Sequence, residues 1–369
     1  MRKPVTIFVT LSLALLLTTC SNSGDTPYSG ATSSLSSVTV FLQRSPSTTG
    51  PSATINPDVG MPQGDAGSKQ IENENRFLPQ LYEAASKSSL QKSADPAISG
   101  KIESDSLEIV ATTAYVLNID TDSVLYSKNS DEHIAPASTA KMLTALTVLD
   151  YYSPDDILTI GAEIDLIPAD SSTAWLSRGD TLTVKQLLVA LLLPSGNDAA
   201  YTLAVNTGKV IAGDQTLSLR QAIETFIDAM NHKAHKVGAV SSNFASPDGC
   251  DAAGQYTTAI DLAQIAKACI NDQVLSEVMS SYRISDTWAN GREVTYRNTN
   301  ELLNPDSQYY YPNAIGLKTG TTIGAGSCLV SAAVINGNTY ICVIMGSSAD
   351  ARYSDSLTIF NEIARWSEH

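Results

Sequence analysis

An α+β fold is predicted by three observations. β-rich runs stand at both ends of residues 105–369, apolar helices fill the stretch between them, and no internal repeat is visible. The expected architecture is an antiparallel sheet drawn from both ends of this region, with helices packed on it. Two β-rich runs, 109–118 and 123–126, flank Asp120-Thr-Asp122, a turn-forming triplet. Helical periodicity follows over 138–152. A second apolar helix is expected over 182–193, stopped by Pro194, whose missing N–H cannot continue it. Further helices are expected over 197–205, 219–237 and 258–270. Strands return over 314–319, 327–335 and 339–345. The last two flank Asn336-Gly337, a strong hairpin signal because both residues tolerate positive φ. A helix over 354–366 closes the fold.

The 369 residues exceed what this region needs, and 43% of them are apolar, as in ordinary globular chains. With 38 acidic and 23 basic residues, the net charge is −15. Nucleic-acid binders concentrate Lys and Arg against phosphate, so a nucleic-acid partner is not expected. Residues 1–20 carry Arg2 and Lys3 ahead of an apolar run, 5–17, too short to span a bilayer comfortably. That pattern reads as a secretory signal. Leu17-Thr-Thr-Cys20 resembles a bacterial lipobox, with Thr19 where a smaller residue is usual, so Cys20 is the expected lipidated residue and membrane tether. Residues 21–104 are rich in Ser, Thr, Pro, Gly and Asn and read as a disordered spacer, with a short helix over 77–90. Cys250, Cys269, Cys328 and Cys342 form no Cys-x-x-Cys pair; they could form bridges in an oxidising compartment, and the plainer reading is buried free thiols.

Histidine is scarce. His232 and His235 share a helix face without a supporting ligand set, so a solvated face is the expected reading. No G-x-S-x-G elbow is present, which leaves a Ser-His-Asp triad without its signature. A nucleophilic Ser can instead be activated by Lys. Ser138 and Lys141 are three residues apart at a helix start, so their side chains share one face. Lysine, with a reference pKa of about 10.4, is a poor base at neutral pH. Burial or a nearby cation lowers that value and yields an amine able to take the Ser proton. One S-x-x-K proves little. Two further segments follow in order: Pro194-Ser-Gly-Asn-Asp198, a polar turn between apolar helices, and Lys318-Thr-Gly320 on a β-rich strand.

This ordered set resembles the penicillin-recognising serine hydrolases. The wider wording is similar to the low-molecular-mass D-alanyl-D-alanine carboxypeptidases. It comprises Pro136-Ala-Ser-Thr-Ala-Lys141, Leu193-Pro-Ser-Gly-Asn-Asp-Ala-Ala200 and Ile315-Gly-Leu-Lys-Thr-Gly-Thr321, with Ser246-Pro-Asp-Gly249 and Tyr256-Thr-Thr-Ala259 between them. The resemblance covers residues 107–369. It implies that Ser138 attacks the penultimate D-Ala carbonyl of a peptidoglycan stem ending in D-Ala-D-Ala, with Lys141 as general base. Ser195 relays a proton to the leaving amine, and Asn197 holds Lys141 or the substrate amide. Lys318 helps to lower the Lys141 pKa. Thr319, joined by Arg352, binds the terminal carboxylate, and Gly320 admits substrate close to the strand. The N–H groups of Ser138 and Thr321 form the oxyanion hole. The resemblance implies no cofactor and no metal, and β-lactam antibiotics as covalent inhibitors.

The sequence departs from that family in places. A small β-rich C-terminal domain and a C-terminal amphipathic anchor, common in the family, are not expected after Trp366-Ser-Glu-His369. Thr321 stands where many members carry His or Tyr, and Cys250 where Leu is usual. A serine β-lactamase is disfavoured: no Glu-x-x-x-Asn follows the second motif, and Gly196 replaces its Asp. A catalytically silent sensor is disfavoured because all three motifs are intact.

Overall fold

The β-rich runs from the two ends of the region meet in one sheet. In the computed structural model the described residues are 102 and 107–366, all within one compact unit. The expected signal segment, Cys20, the helix over 77–90 and nearly all of the spacer lie outside them. Strands β1 (Thr113–Asn118) and β2 (Ser123–Lys128) form a hairpin, and β7 (Ala314–Thr322), β8 (Gly326–Ile335) and β9 (Asn338–Ser347) form a meander. The order is β2-β1-β9-β8-β7, antiparallel throughout. Asn336 and Gly337 both take positive φ (48° and 77°), so the β8–β9 turn has the handedness that matches strand twist.

Strand β9 is buried on both faces, which explains its unbroken apolar run. Tyr340, Cys342 and Ile344 pack in one core with Ile359, Phe360 and Ile363 of the C-terminal helix, Ala351–Trp366. Ile341, Val343 and Met345 face the other way, into the helical core with Met142, Leu143 and Leu262. One strand with period-two alternation therefore joins two cores.

Between the strand groups lie α1 (Lys141–Val148), α2 (Val184–Leu192), α3 (Asn197–Ala212), α4 (Leu219–Lys236), α5 (Ala259–Asn271) and α6 (Gln273–Ser280), and the C-terminal helix is α7. The expected helix over 138–152 starts as a tight 3₁₀ turn, Ala137–Ala140, before α1 takes over. The expected helix over 182–193 is shorter, because Thr181–Thr183 forms β4 against β3 (Ile157–Thr159) and Thr183 then caps α2 in a box with Gln186. Helix α3 outruns its expected end at 205 and stops where Gly213 takes φ +65°. Helix α6, capped by Asp272, and the hairpin β5 (Arg283–Thr287) with β6 (Glu293–Arg297) were not expected from the sequence. Cys269, Cys328 and Cys342 are buried free thiols. Cys250 is disulfide-bonded, so it takes the bridged alternative where the other three are free thiols.

Candidate active site

The nucleophile turn is held in an uncommon backbone state. Ala137, just before Ser138, takes φ +49°, a conformation that persists only where the surroundings impose it. Gly249 imposes it. Its own φ is +83°, and a Cβ there would lie 1.8 Å from the Ala137 carbonyl oxygen. The 3₁₀ turn then places Ser138 and Lys141 on one face, where Lys141 Nζ donates to Ser138 Oγ at 2.8 Å and to the Asp248 carbonyl at 2.7 Å. Thr144 Oγ1 donates to the Pro247 carbonyl at 2.6 Å. The Ser246-Pro-Asp-Gly249 turn thus offers successive carbonyls to the nucleophile helix.

Lys141 is fully buried. Burial lowers its pKa to about 8, against the opposing pull of Asp248 and Asp198. Lys318 is also fully buried, and its pKa is pushed well below the ordinary lysine range by burial first, then by Lys141 and Arg352. Burial is therefore the main lever on Lys141. The cationic neighbour invoked from the sequence shows its effect chiefly on Lys318, because the two amines disfavour charge on each other.

The second wall is the turn Ser195-Gly196-Asn197. Ser195 takes φ +64°, and its buried Oγ has no hydrogen-bond partner. Gly196 caps α3, and Asn197 is its first residue. Asn197 Nδ2 donates to Cys250 Sγ at 3.6 Å, and its buried Oδ1 has no partner. Lys141 is thus not the partner of Asn197, which leaves the substrate amide as the alternative. Buried unpaired polar atoms are rare, and at this site a bound substrate would satisfy them.

Strand β7 forms the third wall. Lys318 Nζ donates to the Thr319 carbonyl at 3.0 Å. A Cβ on Gly320 would lie 2.8 Å from both the Ser138 nitrogen and the Ala137 Cβ, so only glycine permits this approach. Thr319 Oγ1 meets Thr299 Oγ1 at 2.5 Å. Thr299 in turn donates its N–H to the Leu193 carbonyl and accepts from Tyr353 Oη through its own carbonyl, linking two walls and α7. Arg352, near the start of α7, reaches β7: its Nη1 donates to the Gly320 carbonyl at 3.3 Å and to Thr321 Oγ1 at 3.1 Å, and its guanidinium lies over the Tyr353 ring. Arg352 Nε is buried without a partner.

Residues 100–349 match the family described as D-alanyl-D-alanine carboxypeptidase. The chain belongs to that family. It is 35% identical over 271 residues to a Streptomyces D-alanyl-D-alanine carboxypeptidase, covering 69% of this chain and 87% of that one. It is 34% identical to the Escherichia coli carboxypeptidase DacD, covering 71% of this chain and 64% of that one. The crystal structure of a Streptomyces DD-transpeptidase superposes with a TM-score of 0.63 at 34% identity, over 70% of this chain and 98% of that one. A Mycobacterium tuberculosis D-alanyl-D-alanine carboxypeptidase structure gives 0.60 at 29% identity, over 73% and 94%. The α+β penicillin-binding-type fold expected from the sequence is thereby shown, as is a serine peptidase of the cell wall.

Within this family fold the structure gathers Ser138, Lys141, Ser195, Asn197, Lys318, Thr319, Gly320, Thr321 and Arg352 at one place. Arg352 packs on β7 rather than standing as a plain surface residue. Sequence reasoning missed Thr299 and Tyr353, which carry no motif, and gave Asp248 and Gly249 no role although their tetrapeptide stood out. Among the described residues no His, Cys, Asp and Glu group is arranged to hold a metal. His232 Nδ1 instead lies 2.7 Å from the Asp228 carbonyl on its own helix.

Arg352 brings a positive charge to Thr321, its Nη1 lying 3.1 Å from Thr321 Oγ1. Replacing Arg352 with Gln is expected to raise KM for D-Ala-D-Ala peptides about tenfold or more, through loss of a charge-assisted contact worth about 1.5–3 kcal/mol. Steady-state kinetics check this, and an unchanged KM would remove Arg352 from the carboxylate subsite.

Proposed function

We propose that this chain removes the terminal D-alanine from peptidoglycan stem peptides through an acyl-enzyme on Ser138. The observation that carries the proposal is the Ser138 Oγ–Lys141 Nζ contact of 2.8 Å, made by an amine whose pKa burial lowers to about 8. Neutral Lys141 takes the Ser138 proton as Oγ bonds to the penultimate D-Ala carbonyl carbon. The carbonyl oxygen becomes anionic and is received by the N–H groups of Ser138 and Thr321. The C–N bond then breaks, and the departing D-Ala amine takes a proton relayed from Lys141 through Ser195. Water attacks the acyl carbon, passes its proton to Lys141, and frees the shortened stem while Ser138 recovers its hydrogen. Thr319 and Arg352 hold the terminal carboxylate during acylation, and Asn197 meets the substrate amide.

The same acyl-enzyme explains β-lactam antibiotics as covalent inhibitors, since a strained lactam acylates Ser138 but its leaving amine stays tethered. Residues 1–20 carry the chain across the cytoplasmic membrane, and a lipid on Cys20 tethers it there, with residues 21–104 as spacer. No helix among the described residues is long and apolar enough to cross a membrane. The acyl acceptor is taken to be water. The Streptomyces relatives are named both carboxypeptidase and DD-transpeptidase, so the test includes an amine.

The test is incubation with labelled penicillin followed by peptide mapping, together with D-Ala release from a D-Ala-D-Ala peptide with and without glycine as competing acceptor. The expected result is label on the peptide containing Ser138, none in Ser138→Ala, and free D-Ala with mostly hydrolysed product. Unchanged D-Ala release in Ser138→Ala would overturn the nucleophile. Penicillin turnover faster than D-Ala release would replace the reading with a β-lactamase, and a mainly glycine-capped product with a transpeptidase.

A further inference from the structure

Trp175 is the most exposed aromatic side chain among the described residues, 67% accessible, yet both its neighbours are buried: Ala174 at 0% and Leu176 at 8%. Its backbone sits at φ +55°, a left-handed conformation that a bulky residue rarely adopts. An isolated exposed side chain needs no explanation. One held outward in a strained conformation by several fixed contacts does, because such strain persists only where the surroundings over-determine it.

The contacts that fix it come from the catalytic turn. Asp198, adjoining Asn197 and buried to 3%, accepts from the Ala174 N–H at 2.8 and 3.0 Å and from the Leu176 N–H at 3.0 Å. The Asn197 N–H donates to the Ser172 carbonyl at 2.8 Å. A Cβ on Gly196 would stand 2.8 Å from the Ala174 Cβ, so the segment lies directly against the Ser195-Gly196-Asn197 wall. From the other side, Tyr296 Oη donates to the Ala174 carbonyl at 2.7 Å and Arg292 Nη1 to the Trp175 carbonyl at 2.9 Å. The β5–β6 hairpin and α3 thus clamp the residues on each side of the indole and leave the ring itself to solvent.

The opposite wall is polar and positive, with Thr319, Thr321 and Arg352 on or against β7. It suits the carboxylate end of the substrate. Ala174 lies against Gly196 and directly precedes Trp175, so the exposed indole is carried beside the Asn197 wall, and its ring offers an apolar face that also attracts cations. Building on the carboxypeptidase reading above, we propose that Trp175 is a specificity-determining residue. Its indole receives the side chain of the stem residue that precedes D-Ala-D-Ala, a long alkyl chain ending in an ammonium group. Asp198 is the positioning residue that holds the ring beside that wall.

The test compares two peptides with the secreted protein and its Trp175→Ala and Trp175→Phe variants. One is Nα-acetyl-L-Lys-D-Ala-D-Ala, which carries the alkyl ammonium. The other is N-acetyl-Gly-D-Ala-D-Ala, which has no side chain at that residue. The expected result is that Trp175→Ala lowers kcat/KM on the lysyl peptide about tenfold, through KM, and on the glycyl peptide less than twofold. Trp175→Phe, which keeps an aromatic face, retains most of the preference. An equal fall on both peptides would make Trp175 a structural residue and overturn the proposal, as would no fall on either. Absence of D-Ala release from both peptides by the unsubstituted protein would instead overturn the carboxypeptidase reading, and with it this role for Trp175.

Discussion

Lys141→Met is expected to slow acylation of Ser138 by about 10²–10⁴-fold, the usual contribution of a positioned general base. The proposed nucleophile, oxyanion donors and carboxylate subsite would all remain, so the loss would report the base alone. The sign of the pH dependence follows from the same amine. As the proposed general base, Lys141 would act only when neutral, and burial lowers its pKa to about 8. The acylation rate of the unsubstituted protein should therefore rise with pH, pass its half-maximum near 8 and level off above. In Lys141→Met the slow residual rate should lose that step. Rates of labelling by penicillin between pH 6 and 9.5 measure both. A flat profile in the unsubstituted protein, or the same step in the variant, would take the base role from Lys141.

Gly249→Ala is expected to damage both stability and activity, for a reason invisible at residue 249 alone. The new methyl would have to occupy the space of the Ala137 carbonyl group, whose oxygen lies 1.8 Å and whose carbon lies 2.5 Å from the ideal Cβ. The backbone at φ +83° adds strain for any residue with a side chain. Relief requires moving the 3₁₀ turn that presents Ser138. A loss of about 2–4 kcal/mol is expected, seen as a fall in Tm of about 5–15 °C for a domain of this size. Labelling of Ser138 should fall further than unfolding accounts for, when measured well below the new Tm. Gly213→Ala is the useful comparison. Its φ is +65°, but nothing lies within 4 Å of its Cβ, so it should lose some stability and keep its labelling rate.

The convergence of residues at the candidate site was largely legible because their pattern is written in short local words. Ser138 and Lys141 meet across one helical turn, a relation fixed by backbone geometry rather than by the fold. The same holds for the Asn336-Gly337 turn, whose two positive φ values are local to it. Contacts that depend on segments far apart in the chain were not legible. Thr299 lies between two expected elements, and its link to Thr319 exists only because β7 and the end of α2 converge. The partner of Asn197 is Cys250, a sulfur that no pattern at residue 197 could name. Helix α6 was missed because only Asp272 separates it from α5, so the periodicity reads as one fading helix. The β5–β6 hairpin was missed because its strands alternate exposed with mostly half-buried residues, Tyr296 alone being buried, which leaves little apolar signal.

Keeping Lys141 out of water has a thermodynamic side. An unfolded chain returns this amine to a pKa near 10.5, whereas the folded protein holds it at about 8. Between those values the unfolded state binds more protons, so the contribution of Lys141 to folding becomes more favourable as pH rises. Below pH 8 the penalty is present in full, about 3 kcal/mol at about 1.36 kcal/mol per pKa unit. That is a sizeable fraction of the 5–15 kcal/mol by which a typical domain is stable. The two packed cores on either side of β9 therefore carry a standing load, imposed by a lysine held fully out of water.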